Sequence, residues 1–244
     1  MSRILLIIPA FNEEQNITKV ITEVQHNLED VDILVVNDCS TDNTLNILKR
    51  IKGIKFLSLP VNLGYSGALQ TGFKYAVEKN YEIVIQFDGD GQHIASEAGK
   101  LLDIMREQDA DIVIGSRFKA ENNYNHTFFR KIGTGFFRSI IKQICKVNIT
   151  DPTSGFQVLN YSVFEKYAQM NKYPEYPDAN LIIEMLLQNY KIAEYAVEMR
   201  NREFGTSMHS GLIKPMKYMI KMFYAIIFIL LSKRKAASNQ AFYN

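Results

Sequence analysis

Two carboxylates, Asp88 and Asp90, stand two residues apart in the stretch Ile83–His93, IVIQFDGDGQH. Like charges so close repel, and the arrangement becomes favourable when a cation lies between them. Gly89 and Gly91 permit a tight turn in which the backbone comes close to its neighbours. With the Gln92 carbonyl, the two aspartates make an all-oxygen donor set. Such a set suits Mg²⁺ or Mn²⁺ and leaves positions for water and phosphate oxygens. A calcium loop of the EF-hand type requires a glutamate at its twelfth position, and counting from Asp88 that position is Gly99. His93 reads as a structural support of the turn rather than a ligand.

An element must hold this turn in place. Residues 81–87, YEIVIQF, form an apolar run that ends at Asp88, and similar runs occupy 3–9, 31–37, 54–60 and 110–116. Their hydrophobicity is continuous rather than alternating, which predicts strands of a sheet covered on both faces. Helical spacing fills the gaps between them: Ile17, Val20, Ile21, Val24 and Leu28 recur three and four apart. DNTLNILKRI repeats the pattern, with Asp42 or Asn43 as the expected N-cap. Strand–helix alternation predicts an α/β fold with a mainly parallel central sheet and helices on both faces. Ligands bind beyond the carboxyl ends of such strands. Polar clusters fall at all five ends: PAFNEE, NDCSTDN, PVNLGYSGA, DGDGQH and GSRF.

Composition is that of a packed globular protein: 244 residues, 47% apolar and 22% charged. The two cysteines, Cys39 and Cys145, are too few for a disulfide framework and fit no metal-ligand spacing, so a reducing cytosol is the simplest setting. The opening MSRILLIIPAFNEE meets Pro9 and acidic residues early, and reads as a first strand rather than a signal peptide. Charge is uneven. From Gly211 onward there are Lys214, Lys217, Lys221, Lys233, Arg234 and Lys235 and no acidic residue, so the body is mildly acidic and the tail basic. No nucleic-acid partner is expected.

Taken together and in order, IIPAFNEE, VVNDCSTDN, NLGYSGA, DGDGQH, GSR, DPTSGF and RNREFGTS resemble family 2 glycosyltransferases of the GT-A, Rossmann-like fold. The resemblance is to the branch related to dolichol-phosphate mannose synthase and bacterial polyprenyl-phosphate glycosyltransferases, and covers roughly residues 2 to 210. It implies that Pro9, Ala10, Phe11, Asn12 and Glu13 line a nucleotide pocket. It implies that Asp38 contacts the base, although Asn37 and Cys39 replace the family's usual Asp and Gly. Asn62 and Gly64 fall beside the nucleotide. Asp88, Gly89, Asp90 and Gln92 fall at the metal and diphosphate. Arg117, Arg202 and Ser207 fall near the reacting groups.

The implied reaction is an inverting, metal-dependent transfer of a sugar from a nucleotide-diphosphate sugar to a membrane polyprenyl phosphate. A glycan acceptor at the cell surface is the alternative. The leaving diphosphate gains negative charge as the glycosidic bond breaks, and a divalent cation and arginines stabilise that charge most in the transition state. Asp151 in DPTSGFQ is a candidate base for a hydroxyl acceptor. With a phosphate acceptor, already anionic, it becomes a positioning group instead, and a plain turn cap is the remaining reading. Glu184, on the apolar stretch DANLIIEMLLQNY, reads as a site-facing or paired carboxylate. A nucleotidyltransferase would need a basic, glycine-rich phosphate loop where PAFNEEQN is acidic. A catalytically dead nucleotide binder fits poorly with Asp88, Asp90, Gln92, Arg117 and Arg202 all present.

Two segments bear on the acceptor. In HTFFRKIGTGFFRSIIKQICK, Phe128, Ile132, Phe136, Ile140 and Ile144 recur four apart beside basic residues, and Phe129, Phe137 and Ile141 widen that stripe. That pattern fits either a core helix with a solvated basic face or one facing anionic lipid. Further on, Met222 to Leu231 are consecutive apolar residues followed by Ser232-Lys233-Arg234-Lys235. The run falls short of the about 20 residues a membrane span needs. The expected division is a catalytic domain at 1–210 and a membrane- or partner-associating tail at 211–244. In that tail Leu212, Ile213, Met216, Met219, Ile220 and Phe223 share one helical face. The implied location is the cytoplasmic side of the cell membrane, held peripherally by the membrane surface, a small membrane-protein partner or a homo-oligomer.

Overall fold

The computed structural model describes residues 3–119, 128–201 and 213–242, with side chains described except at 128–132, 213–215 and 233–242. Along the chain these form β1 (Ile4–Ala10), α1 (Ile17–Asn27), β2 (Val31–Asn37), α2 (Thr44–Leu48), β3 (Lys55–Ser58), α3 (Gly64–Glu78), β4 (Ile83–Gln86), α4 (Ala95–Gln108), β5 (Ile112–Ser116), α5 (Phe128–Cys145), β6 (Gln157–Asn160), α6 (Tyr161–Gln169), α7 (Ala179–Leu186), β7 (Ile192–Ala196) and α8 (Ile213–Phe242). The strands make one sheet in the order β3-β2-β1-β4-β6-β5-β7. All pairings are parallel except those of β6, which runs antiparallel to both neighbours.

The sheet is covered on both faces, which is why its central strands are continuously apolar. Leu5 and Ile7 of β1 pack with α3, α6 and α7, while Ile4, Leu6 and Ile8 pack with α1 and α4 on the other side. All five expected strands are present. β6 and β7 were not anticipated, because QVLN is short and half polar and IAEYA carries Glu194 at its centre.

Of the seven strands, β6 has the largest part in shaping the polar edge. Its register sets Gln157 opposite Gln86 of β4 and opposite Ile114 of β5. An antiparallel strand delivers its entering loop to the edge where parallel neighbours end. Residues 151–156 therefore arrive beside Asp88 and Arg117.

In α5 the broad apolar stripe is most deeply buried at Phe137 and Ile141, both 0% exposed, with Ile140 and Ile144 packed against the same core, whereas Phe136 is 42% exposed. In α8 the side chains that join the core are Tyr218, Met222 and Ile226, not the face through Met216, Ile220 and Phe223. Tyr218 packs edge-on against Phe137 and Tyr176, and Phe136 lies 6.3 Å from Phe223. Met216, Ile220, Phe223, Tyr224, Phe228 and Leu231 remain exposed. Among the described residues no helix is long and apolar enough to cross a membrane.

Candidate active site

The end of β1 and the end of β2 clasp one another. Asn12 adopts a left-handed backbone, φ 56°, and its Oδ1 accepts from the Thr41 amide at 2.8 Å while its own amide donates to Ser40 Oγ at 3.0 Å. Glu13 N donates to Thr44 Oγ1 at 2.9 Å, and Asp38 N donates to the carbonyl of Ala10 at 2.8 Å. The N-cap of α2 is Asn43, but its side chain makes no cap bond; Asp42 Oδ1 accepts from Thr44 N instead. Asp38 is buried, its Oδ1 accepting from Leu63 N at 2.7 Å. Asn62 donates to the Asp38 carbonyl and accepts from Gly64 N. Phe11 alone of the first strand's exit presents a large exposed apolar face. These contacts bring Pro9 to Glu13, Asp38, Asn62 and Gly64 to one edge.

The Asp88–Gly91 turn lies against that edge. A Cβ on Gly89 would sit 3.2 Å from the Pro9 carbonyl, so glycine permits the close approach. Gly91 has φ +77°, where side chains are disfavoured. Asp90, buried, accepts from Gln92 N at 3.0 Å. Gln92 Nε2 donates to the Arg200 carbonyl at 3.3 Å. Arg200 in turn is paired with Glu23 of α1 at 2.6 Å. His93 is buried, stacked on Phe156 at 4.5 Å; its Nδ1 accepts from Asp88 N and its Nε2 lies 3.5 Å from Asp88 Oδ2. It supports the turn, as its sequence position suggests. Burial lowers its pKa.

Tyr65, at the start of α3, donates to Asp88 Oδ1 at 3.0 Å. Burial raises the pKa of Asp88, and the charge of Asp90 adds to the rise. A divalent cation would relieve both effects. The paired carboxylates are hard oxygen donors, so these residues fit such an ion.

Arg117, just past β5, and Asp151 form a buried bidentate pair. Nε donates to Oδ2 at 2.7 Å, Nη2 to Oδ1 at 2.8 Å, and the Arg117 amide to Oδ2 at 3.0 Å. Nη2 also meets the carbonyl and hydroxyl of Thr153. Glu194 of β7 accepts from the amides of Thr150 and Asp151 at 2.7 and 2.8 Å. Burial alone would raise the Asp151 pKa, but the Arg117 charge and its hydrogen bonds outweigh that and hold it below the ordinary value. A fully buried carboxylate with both oxygens on a guanidinium is a counter-ion, a geometry unsuited to taking a proton from an acceptor.

Glu184 accepts from Gln188 one turn further along the chain, the paired form of its sequence reading. Arg202 and Ser207 lie outside the described residues. The sequence reading missed Tyr65, Glu194 and Asp178. Asp178 precedes α7, is partly buried, and accepts from Tyr218 of α8 at 2.9 Å. Burial pushes its pKa to about 6; the Tyr218 bond and Arg117 oppose the rise, and Asp151 and Asp88 add to it. The one signal in the sequence was an aspartate just before an apolar helix, which reads equally as a cap.

A twisted, mostly parallel sheet with carboxylates at its strand ends and a buried arginine beside them defines an enzyme of the nucleotide-binding α/β class. Residues 5–168 match the model for glycosyl transferase family 2, and the chain belongs to that family: it is a glycosyltransferase. It is 26% identical to the UDP-N-acetylglucosamine–dolichyl-phosphate N-acetylglucosaminyltransferase of Methanococcus voltae over 94% of this chain and 97% of that one. It is 25% identical to the polyprenol monophosphomannose synthase of Mycolicibacterium smegmatis over 86% of this chain and 82% of that one. Its fold is that of glucosyl-3-phosphoglycerate synthase from Mycobacterium tuberculosis, solved with Mn²⁺, UDP and glucosyl-3-phosphoglycerate. The TM-score is 0.66 at 19% identity, covering 95% of this chain and 79% of that one.

Proposed function

We propose that this glycosyltransferase moves a sugar, with inversion, from a nucleotide-diphosphate sugar to a polyprenyl phosphate, in a divalent-metal-dependent reaction at the inner face of the cell membrane. The observation that carries the reading is the meeting of the Asp88–Asp90 turn, Asp38 and the Arg117–Asp151 pair at one sheet edge. The names of the Methanococcus voltae and Mycolicibacterium smegmatis relatives support the lipid phosphate acceptor. The Mn²⁺ and UDP of the structural neighbour support the metal and the nucleotide.

Asp88 and Asp90 are the residues that would hold Mg²⁺ or Mn²⁺, with Gln92 beside them. That ion, when bound, neutralises the diphosphate as it leaves. The chain's own groups do the rest. Asp38, with Pro9 to Glu13, Asn62 and Gly64, orients the nucleoside. Tyr65 and His93 hold the Asp88 carboxylate in place. Arg117 is fixed by Asp151 and Thr153, so its charge is pre-positioned for the phosphates without reorganisation. Asp151 acts as the positioning group. An acceptor phosphate is already anionic and needs no strong base, which agrees with a site whose most buried carboxylate is spoken for.

The test is a donor panel of nucleotide sugars with polyprenyl phosphate and Mn²⁺ or Mg²⁺, followed by mass analysis of the lipid product. A lipid-linked monosaccharide is expected, and excess chelator should abolish it. Transfer only to a glycan acceptor, or full activity in chelator, would overturn the reading.

A further inference from the structure

Two opposite charges, Glu194 on β7 and Arg138 on α5, meet on one peptide unit, that between Thr150 and Asp151. Its N–H donates to Glu194 Oε1 at 2.8 Å, and its carbonyl accepts from Arg138 Nη2. The bond is trans, so these two groups point in opposite directions. A carboxylate therefore caps one end of the peptide dipole and a guanidinium the other. Charge-assisted bonds are the stronger kind, and bonds that share a group polarise one another. The preceding amide, Thr150 N, takes the other Glu194 oxygen at 2.7 Å, and the Thr150 hydroxyl lies 2.7 Å from Ser116 Oγ. Arg138 has no carboxylate partner among the described residues, and its Nε is buried and unmatched. Its charge goes to the Thr150 carbonyl and to the ring of Phe118, 5.7 Å away.

Asp151 follows this peptide directly, and its carboxylate is the one that fixes Arg117. α5 reaches the same assembly one turn earlier. Thr134 Oγ1 is 3.4 Å from Thr153 Oγ1, which accepts from Arg117 Nη2. We infer that Glu194 and Arg138 are positioning residues for Arg117, and that the clamped Thr150–Asp151 peptide is the link through which β7 and α5 set its direction. The inference rests on the proposed task of Arg117 at the leaving diphosphate. Asp151 sits in the loop between α5 and β6, and it can aim Arg117 only if its own backbone is held. A misplacement of about 1 Å at a reacting centre costs up to about a hundredfold in rate. Glu194→Gln sets an amide NH2 against one of the two N–H groups, and so shifts the peptide without changing the size of the side chain.

The test compares full-length variants labelled with ¹⁵N. The Nε–H resonance of Arg117, assigned by its loss in Arg117→Lys, reports the bond to Asp151. Glu194→Gln and Arg138→Leu should each move it toward the position of a free arginine and broaden it. Arg138→Lys keeps a charged donor and should leave it near the parent's. Turnover is measured with polyprenyl phosphate, Mn²⁺ and UDP-glucose or GDP-mannose, whichever the parent uses. Glu194→Gln and Arg138→Leu should lower kcat about tenfold, and Arg138→Lys less than about threefold, with the nucleotide-sugar KM unchanged. The double variant of Glu194→Gln and Arg138→Leu should be no worse than either single one, because either change frees the peptide. An unmoved Arg117 resonance, additive losses in the double variant, or an Arg138→Lys as impaired as Arg138→Leu would overturn the inference. So would variants unfolded at the assay temperature, or a loss of turnover no larger than the melting temperature explains, since the clamp would then serve the fold alone. If the parent transfers neither sugar, the proposed reaction fails on these donors, and the Arg117 resonance alone decides whether the clamp aims it.

Discussion

The guanidinium of Arg117 lies against the carboxylate of Asp151 with Nε 2.7 Å from Oδ2 and Nη2 2.8 Å from Oδ1, and Asp151 is 0% exposed. The pair is neutral as a unit and each half depends on the other. Removing one partner leaves an unpaired buried charge, which costs about 3–5 kcal/mol. Asp151→Asn keeps the shape and loses the charge, so a fall of about 3 kcal/mol in unfolding free energy is expected at pH 7, with loss of turnover. Because the folded pKa of Asp151 is depressed, its contribution is present above the ordinary value of 3.8 and lost as pH falls through the folded one. Denaturant melts at pH 7 and pH 3.5 should show the gap between parent and variant beginning to narrow at the lower pH. A variant as stable as the parent at pH 7 but inactive would favour the base reading instead.

Asp178 has the opposite sign. Its folded pKa is raised, to about 6, so the protein is relatively favoured below the unfolded value of 3.8 and loses stability as pH rises through about 6. A tenfold change in proton affinity between the folded and unfolded chain corresponds to roughly 1.4 kcal/mol, and partial solvent access reduces the sum. Asp178→Asn should therefore raise the melting temperature by a few degrees at pH 7.5 in metal-free buffer, and leave it unchanged or lower at pH 4. A variant that gains nothing between those pH values would show that Asp178 is not destabilised by its charge.

Gly155 has no room for a side chain. A Cβ there would lie 2.8 Å from the Tyr65 hydroxyl and 3.6 Å from Asp88 Oδ2. Gly155→Ala should push Tyr65 off Asp88. Turnover should fall about tenfold, the scale of one hydrogen bond to a charged group. Tyr65→Phe should have the same effect, and the double variant should be no worse than either single one. Additive losses in the cycle would mean that the two residues act separately.

How much was legible in the sequence depends on how local each signal is. β1, β2 and β4 announce themselves because burial on both faces demands an unbroken apolar run. The Asp88–Gln92 turn is legible because its groups are neighbours in the chain. β6 is not, since four residues with two apolar side chains could belong to any element, and its place between β4 and β5 is a long-range fact. The Arg117–Asp151 pair spans 34 residues and exists only because β6 runs antiparallel. The Asp178–Tyr218 hydrogen bond spans 40 residues and leaves no local trace in the sequence. The inward face of α8 is not legible either, because the helix is apolar nearly all round beyond Met222, so periodicity holds no preference there.

The α8 segment separates into two parts with different expected roles. Tyr218, Met222 and Ile226 are 8, 1 and 2% exposed and pack with Phe137 and α7, so this half of the helix is part of the core. Lys221 pairs with Glu175 at the surface. Truncating three such side chains costs several kcal/mol at about 2–5 each. Deleting 211–244 should therefore destabilise or unfold the domain. Beyond Ile226 the outward residues Ile227, Phe228 and Leu231 are exposed, and Lys233, Arg234 and Lys235 come next in the chain. Continuous with Phe223, Tyr224 and Phe136, this is an apolar strip with a basic end, suited to the surface of an anionic bilayer. Each basic residue there contributes roughly 1 kcal/mol, less at high salt. Deleting 232–244 should leave the melting temperature within about two degrees of the parent while weakening sedimentation with anionic liposomes at least tenfold, and far less with neutral ones. Charge reversal of Lys233, Arg234 and Lys235 to Glu should act alike. If the shortened chain sediments as well as the parent, the basic end is not the attachment. If light scattering instead shows the parent to be a dimer and the shortened chain a monomer, the strip is covered by a second copy and not by lipid.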